Sequence, residues 1–260
     1  MEEVCFEHNH SLVICQSHES YKQEWKAIDT LIHQNVDCVI ISVSAETQSS
    51  EHLATIIGNN IELIQFDRCI DNLDSYKVIN DNEEVSYKVV KDLISEGYKK
   101  IAFIGGPGHL PVFKNRKNGY FKAIKEARLV IPYNFIIDDA LSREKAVEIA
   151  TELLMLPEPP DAFFTVSDHQ SLGVLQVANT MGIKVPEQLG IFGFANEDFT
   201  EIVKPTLSSV DQKSKELGKR AANLYFEKIM KRKGELSTDR NEIVRSEIII
   251  RQSSLRRIAH

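Results

Sequence analysis

Two polar turns follow two apolar runs in the middle of this chain, and they hold side chains suited to hydrogen-bond chemistry. Ala162–Val166 stops at Ser167-Asp168-His169, and Leu189–Phe194 stops at Ala195-Asn196-Glu197. A hydroxyl, a carboxylate and an amide at such turns suit the recognition of a small polar molecule. They do not make a nucleophile–base set, and no serine lies in a GxSxG elbow. Gly105-Gly106-Pro107-Gly108 lacks the GxGxxG and GxxxxGK[ST] spacings, so it reads as a tight turn rather than a phosphate cradle. The eight histidines form no HExxH pattern, and His8, His10 and His18 read as surface residues. Cys5, Cys15, Cys38 and Cys69 have no close pair and no zinc spacing. Three of them sit in or beside apolar runs and read as buried free thiols of a reducing compartment. No catalytic residue, metal or cofactor is expected.

Strands and helices must alternate to bring those turns to one edge. Glu19–Gln34 reads as a helix with Trp25, Ile28, Leu31 and Ile32 on its apolar face. Strands are expected at Ser11–Cys15, Asp37–Ser42, Ile61–Phe66, Lys100–Ile104, Phe135–Ile137 and Ile243–Ile250, besides the two apolar runs above. Helices are expected at Glu2–His8, Ser50–Asn59, Glu83–Glu96, Asn115–Ala127, Arg143–Leu154, Leu172–Gly182 and Lys213–Arg232. Gly97 is the expected left-handed stop of one of them. Pro157–Pro160 and Lys233–Asn241 read as surface connections, and Lys228–Lys233 as a solvated basic helix end. Such alternation implies α/β architecture with parallel sheets, whose ligands bind outside the C-terminal strand ends. A helix before the first strand is unusual, because right-handed β-α-β units open with a strand.

Composition sets outer bounds. The chain has 260 residues, 42% of them hydrophobic, which suffices for one large domain or two lobes. No apolar run is long enough for a membrane helix. A net charge of −7 argues against general nucleic-acid binding.

The strand–turn–helix–strand block from Pro160 to Gln212 resembles the C-terminal half of LacI/GalR-type bacterial transcription regulators. PGHLPVFKNRKNGYFKAIKEA is similar to the loop and helix that carry that family's ligand-binding arginine. The resemblance implies a periplasmic-binding-protein-like fold of type I: two Rossmann-like lobes around a ligand cleft. The lobes would hold 1–105 plus 213–236 and 106–211 plus 237–260. The resemblance places the arginine at Arg116, pointing into the solvent-filled cleft, where a planar fork can pair with vicinal hydroxyls or a carboxylate. A solvated arginine beside Lys114 and Lys117 is the plainer alternative. Ser167 and Asp168 match the family's strand-end pair; Asp168 either meets ligand or caps the next helix. Gln212 matches a crossover glutamine, reaching ligand or bonding within the linker. Asp67 and Arg68 match an Asp-Arg on the first lobe, facing ligand or pairing locally. Two positions depart: Ala195 stands where relatives carry an aspartate, leaving Asn196 or Glu197 to substitute, and Ala140 stands near their stacking aromatic. The resemblance covers the effector-binding part and no DNA-binding head, and such regulators have one more strand before the first helix.

The implied function is effector sensing in the cytoplasm, without catalysis or membrane contact. A small ligand, a sugar or derivative, would bind between lobes of a homodimer and bias DNA binding by a separate N-terminal helix-turn-helix. A periplasmic or surface sugar-binding protein shares the architecture and is the alternative; a doubly wound enzyme would need a nucleotide motif or catalytic pair. In gel-shift titrations at physiological salt these 260 residues should give no sequence-dependent complex with duplex DNA. Nanomolar, sequence-dependent binding would overturn the separate-head expectation.

Overall fold

The computed structural model describes residues 1–230 and 240–256 of the chain. In chain order the elements begin α1 (Glu2–Glu7), α2 (Tyr21–His33), β1 (Cys38–Ile41), α3 (Glu51–Gly58), β2 (Glu62–Phe66) and β3 (Tyr76–Asn80). Next come α4 (Asn82–Ser95), β4 (Ile101–Ile104), α5 (Pro111–Glu126), β5 (Ile136–Ile137), α6 (Arg143–Leu154) and β6 (Ala162–Thr165). The chain continues through α7 (Asp168–Met181), β7 (Gly190–Phe194), β8 (Ser208–Asp211), α8 (Ser214–Leu224), β9 (Asn241–Val244) and β10 (Glu247–Ile249). A π-helical turn at Tyr225–Ile229 prolongs α8.

Two compact units result. The first comprises Met1–Asn80, Leu110–Val112 and Lys213–Val244; the second comprises Asp81–His109, Phe113–Gln212 and Arg245–His260. The first unit's sheet runs β1-β2-β3-β9, all parallel. Its last strand is recruited from far along the chain: Asn80 Nδ2 donates to the Val244 carbonyl at 3.0 Å, across 164 residues. The second unit's sheet runs β10-β8-β7-β6-β4-β5, parallel except for β10. β4, β6 and β7 are buried throughout, the mark of parallel strands covered on both faces. Their sequences IAFI, AFFT and GIFGF accordingly lack the alternation of a half-exposed strand. The Tyr120 hydroxyl of α5 is buried and donates to the Ile101 carbonyl at 2.8 Å, so this large ring buries no orphan donor.

Several expectations need correction. The lobe boundary expected after residue 105 falls between Asn80 and Asp81, because β4 hydrogen-bonds to β5 and β6 of the second sheet. Ser11–Cys15 forms no strand and pairs with none among the described residues; Cys15 is exposed rather than buried. The run Ile243–Ile250 is not one strand. Ser246 N–H donates to Asp81 Oδ1 at 2.9 Å, and the chain turns there from the first sheet into the second. β3 went unread because Tyr76–Asn80 (YKVIN) is short and neither continuously apolar nor strictly alternating, although its burial alternates. Ala140 is 2% exposed and packs in the second core. The expected loop and basic helix end fall partly on 231–239, outside the described residues.

Gly119 fixes how α5 meets α4. A Cβ there would lie 2.3 Å from the Glu83 carbonyl oxygen and 2.8 Å from Ser86 Cβ, and helix backbone cannot move aside cheaply. Gly119→Ala should destabilise the second unit by about 1–3 kcal/mol. Differential scanning fluorimetry should record a melting temperature several degrees lower; a change under one degree would mean the helices part without cost.

Candidate functional site

Arg116 gathers the strand ends of the second unit. It projects from α5, and its side chain is 4% exposed. Nε donates to Asn82 Oδ1 at 2.9 Å, Nη1 to the Val166 carbonyl at 2.8 Å, and Nη2 to Gln212 Oε1 at 3.2 Å. The guanidinium carbon lies 3.5 Å from the centroid of Phe194. One side chain thus ties the start of α4 to the ends of β6, β7 and β8. Hydrogen bonds from a charged group contribute about 1.5–3 kcal/mol, and a desolvated cation–π contact on the order of 2 kcal/mol. The expectation of a side chain in a solvent-filled gap is therefore wrong. The fork is buried and oriented in advance because polar strand ends converge on it.

Ser167 and Asp168 divide their work. Ser167 is the N-cap of α7, and its Oγ accepts from the Gln170 N–H at 3.4 Å. Asp168 is the first helical residue and fully buried. Its Oδ1 accepts from the Ser209 hydroxyl at 2.7 Å and its Oδ2 from the Glu197 N–H at 2.9 Å. The carboxylate neither caps the helix nor faces outward; it clamps the turn after β7 to β8. Burial raises its pKa, with the bonds from Ser209 and the turn amides opposing the rise. Gly193 makes room, since a Cβ there would sit 2.1 Å from Asp168 Oδ1.

The clamped turn is backbone-strained. Ala195 has φ +124° and Asn196 φ +57°; the first is a region that glycine favours. Asn196, expected as a stand-in for a family aspartate, is held by bonds within the second unit. Its N–H donates to Ser209 Oγ at 3.0 Å and its Oδ1 accepts from Arg251 Nη2 at 2.9 Å, fastening the turn to the C-terminal segment. Glu197 remains exposed.

Arg116, Ser167, Asp168, Asn196 and Gln212 thus belong to the C-terminal edge of one sheet. Asp67 and Arg68 belong to the first unit. Asp67 has φ +56° and donates its N–H to the Val78 carbonyl at 3.0 Å. Arg68 Nη1 bonds Glu19 Oε2 at 2.6 Å. Sequence reading missed Asn82, Phe194 and Ser209. Asn82 follows β3, so the strand-end rule would have found it had β3 been read. It also missed a buried cluster in the first unit. Glu24 Oε1 accepts from Thr47 Oγ1 at 2.8 Å and lies 2.6 Å from His52 Nε2. No group of three His, Cys, Asp or Glu among the described residues could hold a metal ion.

Asp168 has a readable pH signature. Its folded pKa lies above the unfolded value, so the folded state binds the extra proton between the two. The stabilising contribution is present when the carboxyl is protonated and is lost as pH rises from about 4 through the folded pKa. Asp168→Asn cannot ionise. Across a melting series from acid upward, the variant should gain on wild type as pH rises. A difference that stays flat, or moves the other way, would contradict a desolvated carboxylate.

Comparison with known proteins places this geometry. A family model described as a periplasmic binding protein-like domain matches residues 90–254. The HTH-type transcriptional repressor PurR of Actinobacillus pleuropneumoniae serotype 3 is 29% identical over 229 residues, covering 88% of this chain and 68% of that protein. The crystal structure of a putative transcriptional regulator LacI from Bacillus cereus subsp. cytotoxis superposes with a TM-score of 0.86 at 27% identity, covering 97% of this chain and 88% of that one. A LacI family regulator from Enterococcus faecium, solved with bound ribose, has a TM-score of 0.82 at 22% identity, covering 97% and 90%; at that identity the likeness concerns the fold.

Proposed function

Because the chain belongs to the periplasmic-binding-protein-like domain family, in the form LacI-type regulators carry as their effector domain, we propose that it senses a small polar ligand and conveys its presence to DNA. The preset guanidinium of Arg116 carries this reading. Its hydrogen bonds to Asn82, Val166 and Gln212 fix the fork before any ligand arrives, which reduces the ordering cost of binding. Ser167 lies beside Val166 at the same edge and contributes a hydroxyl. Asp168 and Asn196 act behind it, holding the turn after β7. Asp67 and Arg68 are strand-end polar groups of the first unit and are proposed to meet ligand there.

The ligand is sugar-like: vicinal hydroxyls match a planar fork, and a regulator of the same fold was solved with ribose. A purine-type base is the second reading, favoured by the relatives named PurR. Binding favours one arrangement of a two-state protein and shifts its population. DNA contact belongs to an N-terminal helix-turn-helix domain outside these residues, in a cytoplasmic homodimer that matches two-fold operators. The relatives are transcriptional repressors, not enzymes, and the ligand leaves unchanged.

Isothermal titration with ribose, cellobiose and adenine tests the reading. One class should bind saturably without turnover. Arg116→Ala should weaken that binding about tenfold to a hundredfold. It also strips partners from Asn82 and Gln212, so its melting temperature is read alongside. Gln212→Ala, which keeps the bonds to Asn82 and Val166, should weaken binding less without unfolding the chain. Wild-type affinity in both variants would remove Arg116 from the site.

A further inference from the structure

The loop between β7 and β8 closes on a single guanidinium. This loop, residues 195–207, opens with the strained turn of the candidate site and contains a short 3-10 helix at Asp198–Glu201. Arg251, just past β10, reaches into it. Nη2 donates to Asn196 Oδ1 at 2.9 Å and to Glu201 Oε1 at 2.7 Å, and Nη1 donates to the Leu207 carbonyl at 3.0 Å. One fork thus holds the start, the middle and the end of the loop. Compact loops with their ends drawn together are frequently functional. The arginine side chain is only 12% exposed, so solvent screens these bonds less than those of a surface pair.

Arg251 is itself fixed. Its N–H donates to Ser208 Oγ at 2.8 Å, and its carbonyl accepts from the same hydroxyl at 3.1 Å. Two residues on, the Ser253 hydroxyl donates to the Ile191 carbonyl of β7 at 2.6 Å. The anchor is therefore backed by the sheet. Later parts of the loop have seats of their own: Thr200 is fully buried, its carbonyl accepts from the Leu207 N–H at 2.8 Å, and Phe199 packs on the second core. The opening turn is less well seated. Asn196 is half-buried and Glu197 exposed. The amides of Ala195, Asn196 and Glu197 are bonded to Val210, Ser209 and Asp168, and Asn196 Oδ1 adds a side-chain tie to Arg251. Backbone at φ +124° persists only where such surroundings over-determine it.

We propose that Arg251 is a positioning residue of the effector site: acting through Asn196, it keeps the turn after β7 in its binding shape without meeting the ligand. This deepens the ligand reading above and rests on it. A ligand binds only the molecules whose turn is formed, so apparent affinity falls in proportion to that fraction. Removing the tie lowers the fraction and leaves Arg116 and Ser167 untouched.

Four variants test this: Arg251→Gln, Asn196→Gly, their combination, and Arg256→Gln. Glycine adopts φ +57° without strain, so Asn196→Gly removes the tie and keeps the conformation accessible. Arg256 Nε donates to the Glu187 carbonyl at 3.1 Å, so its loss reports loosening of the C-terminal segment in general. In ligand-free hydrogen exchange, peptides covering 195–201 should exchange about tenfold faster in Arg251→Gln, with 168–181 unchanged. Isothermal titration uses whichever of ribose, cellobiose and adenine binds wild type. That probe should bind about tenfold more weakly to Arg251→Gln and to Asn196→Gly, and no more weakly to the combination. Arg256→Gln should match wild type, and saturating probe should return slow exchange at 195–201 to Arg251→Gln. Wild-type affinity in Arg251→Gln, or losses that add in the combination, would overturn the proposal. Should Arg251→Gln fail to fold, Asn196→Gly carries the test alone: unchanged exchange and affinity there overturn it. If no probe binds wild type, the ligand reading is what fails, and exchange still judges the tie: faster rates at 195–201 support it, and unchanged rates sink it.

Discussion

The buried carboxylate of Asp168 is the constraint on which the second unit's C-terminal strand edge depends. It starts α7, reaches past the bare backbone of Gly193, and accepts from the Ser209 hydroxyl and the Glu197 amide. A charged acceptor in that position costs desolvation, as its raised pKa records. What it holds is the turn at Ala195 and Asn196, whose backbone would not persist unaided. With that turn fixed, Phe194 stays in place as the platform under Arg116. The clamp therefore sets the position of a cation it never touches.

Arg116 shows how a site can be rigid without a ligand. Its partners are a side-chain amide at the start of α4, a main-chain carbonyl after β6 and a second amide after β8. Each comes from a different element, so the guanidinium is held in a plane by the sheet edge rather than by α5 alone. Rigid forks discriminate by geometry, and a lysine of equal charge cannot reproduce the arrangement.

The sequence made the alternation and most element positions legible, because continuous apolar runs such as Ile101–Ile104 and Ala162–Thr165 admit few other readings. It named Arg116, Ser167, Asp168 and Gln212 through motif likeness, but not their division of labour. Burial of Arg116 depends on Asn82 and Phe194, which lie 34 and 78 positions away. The role of Asp168 depends on Ser209, and no local spacing announces that contact. Strand boundaries failed where pairing rather than composition decides: Ser11–Cys15 has strand residues without a neighbour, and Tyr76–Asn80 has neighbours without a strong pattern. The apolar run at the C-terminus spans two sheets because Ser246 is held by Asp81 between them.

The recruitment of β9 to the edge of β3 also orders events in time. A ribosome makes β1, β2 and β3 early and β9 almost last, 164 residues separating Asn80 from Val244. At roughly 5–20 residues per second, that interval lasts on the order of ten to thirty seconds. Throughout it the outer edge of β3 has no partner of its own, while β4, β6 and β7 emerge with their partners close behind. The second unit can therefore build most of its core before β9 is made, whereas the first must wait for β9. Nascent chains are thus vulnerable at the β3 edge, and a chaperone attending this protein has its work there.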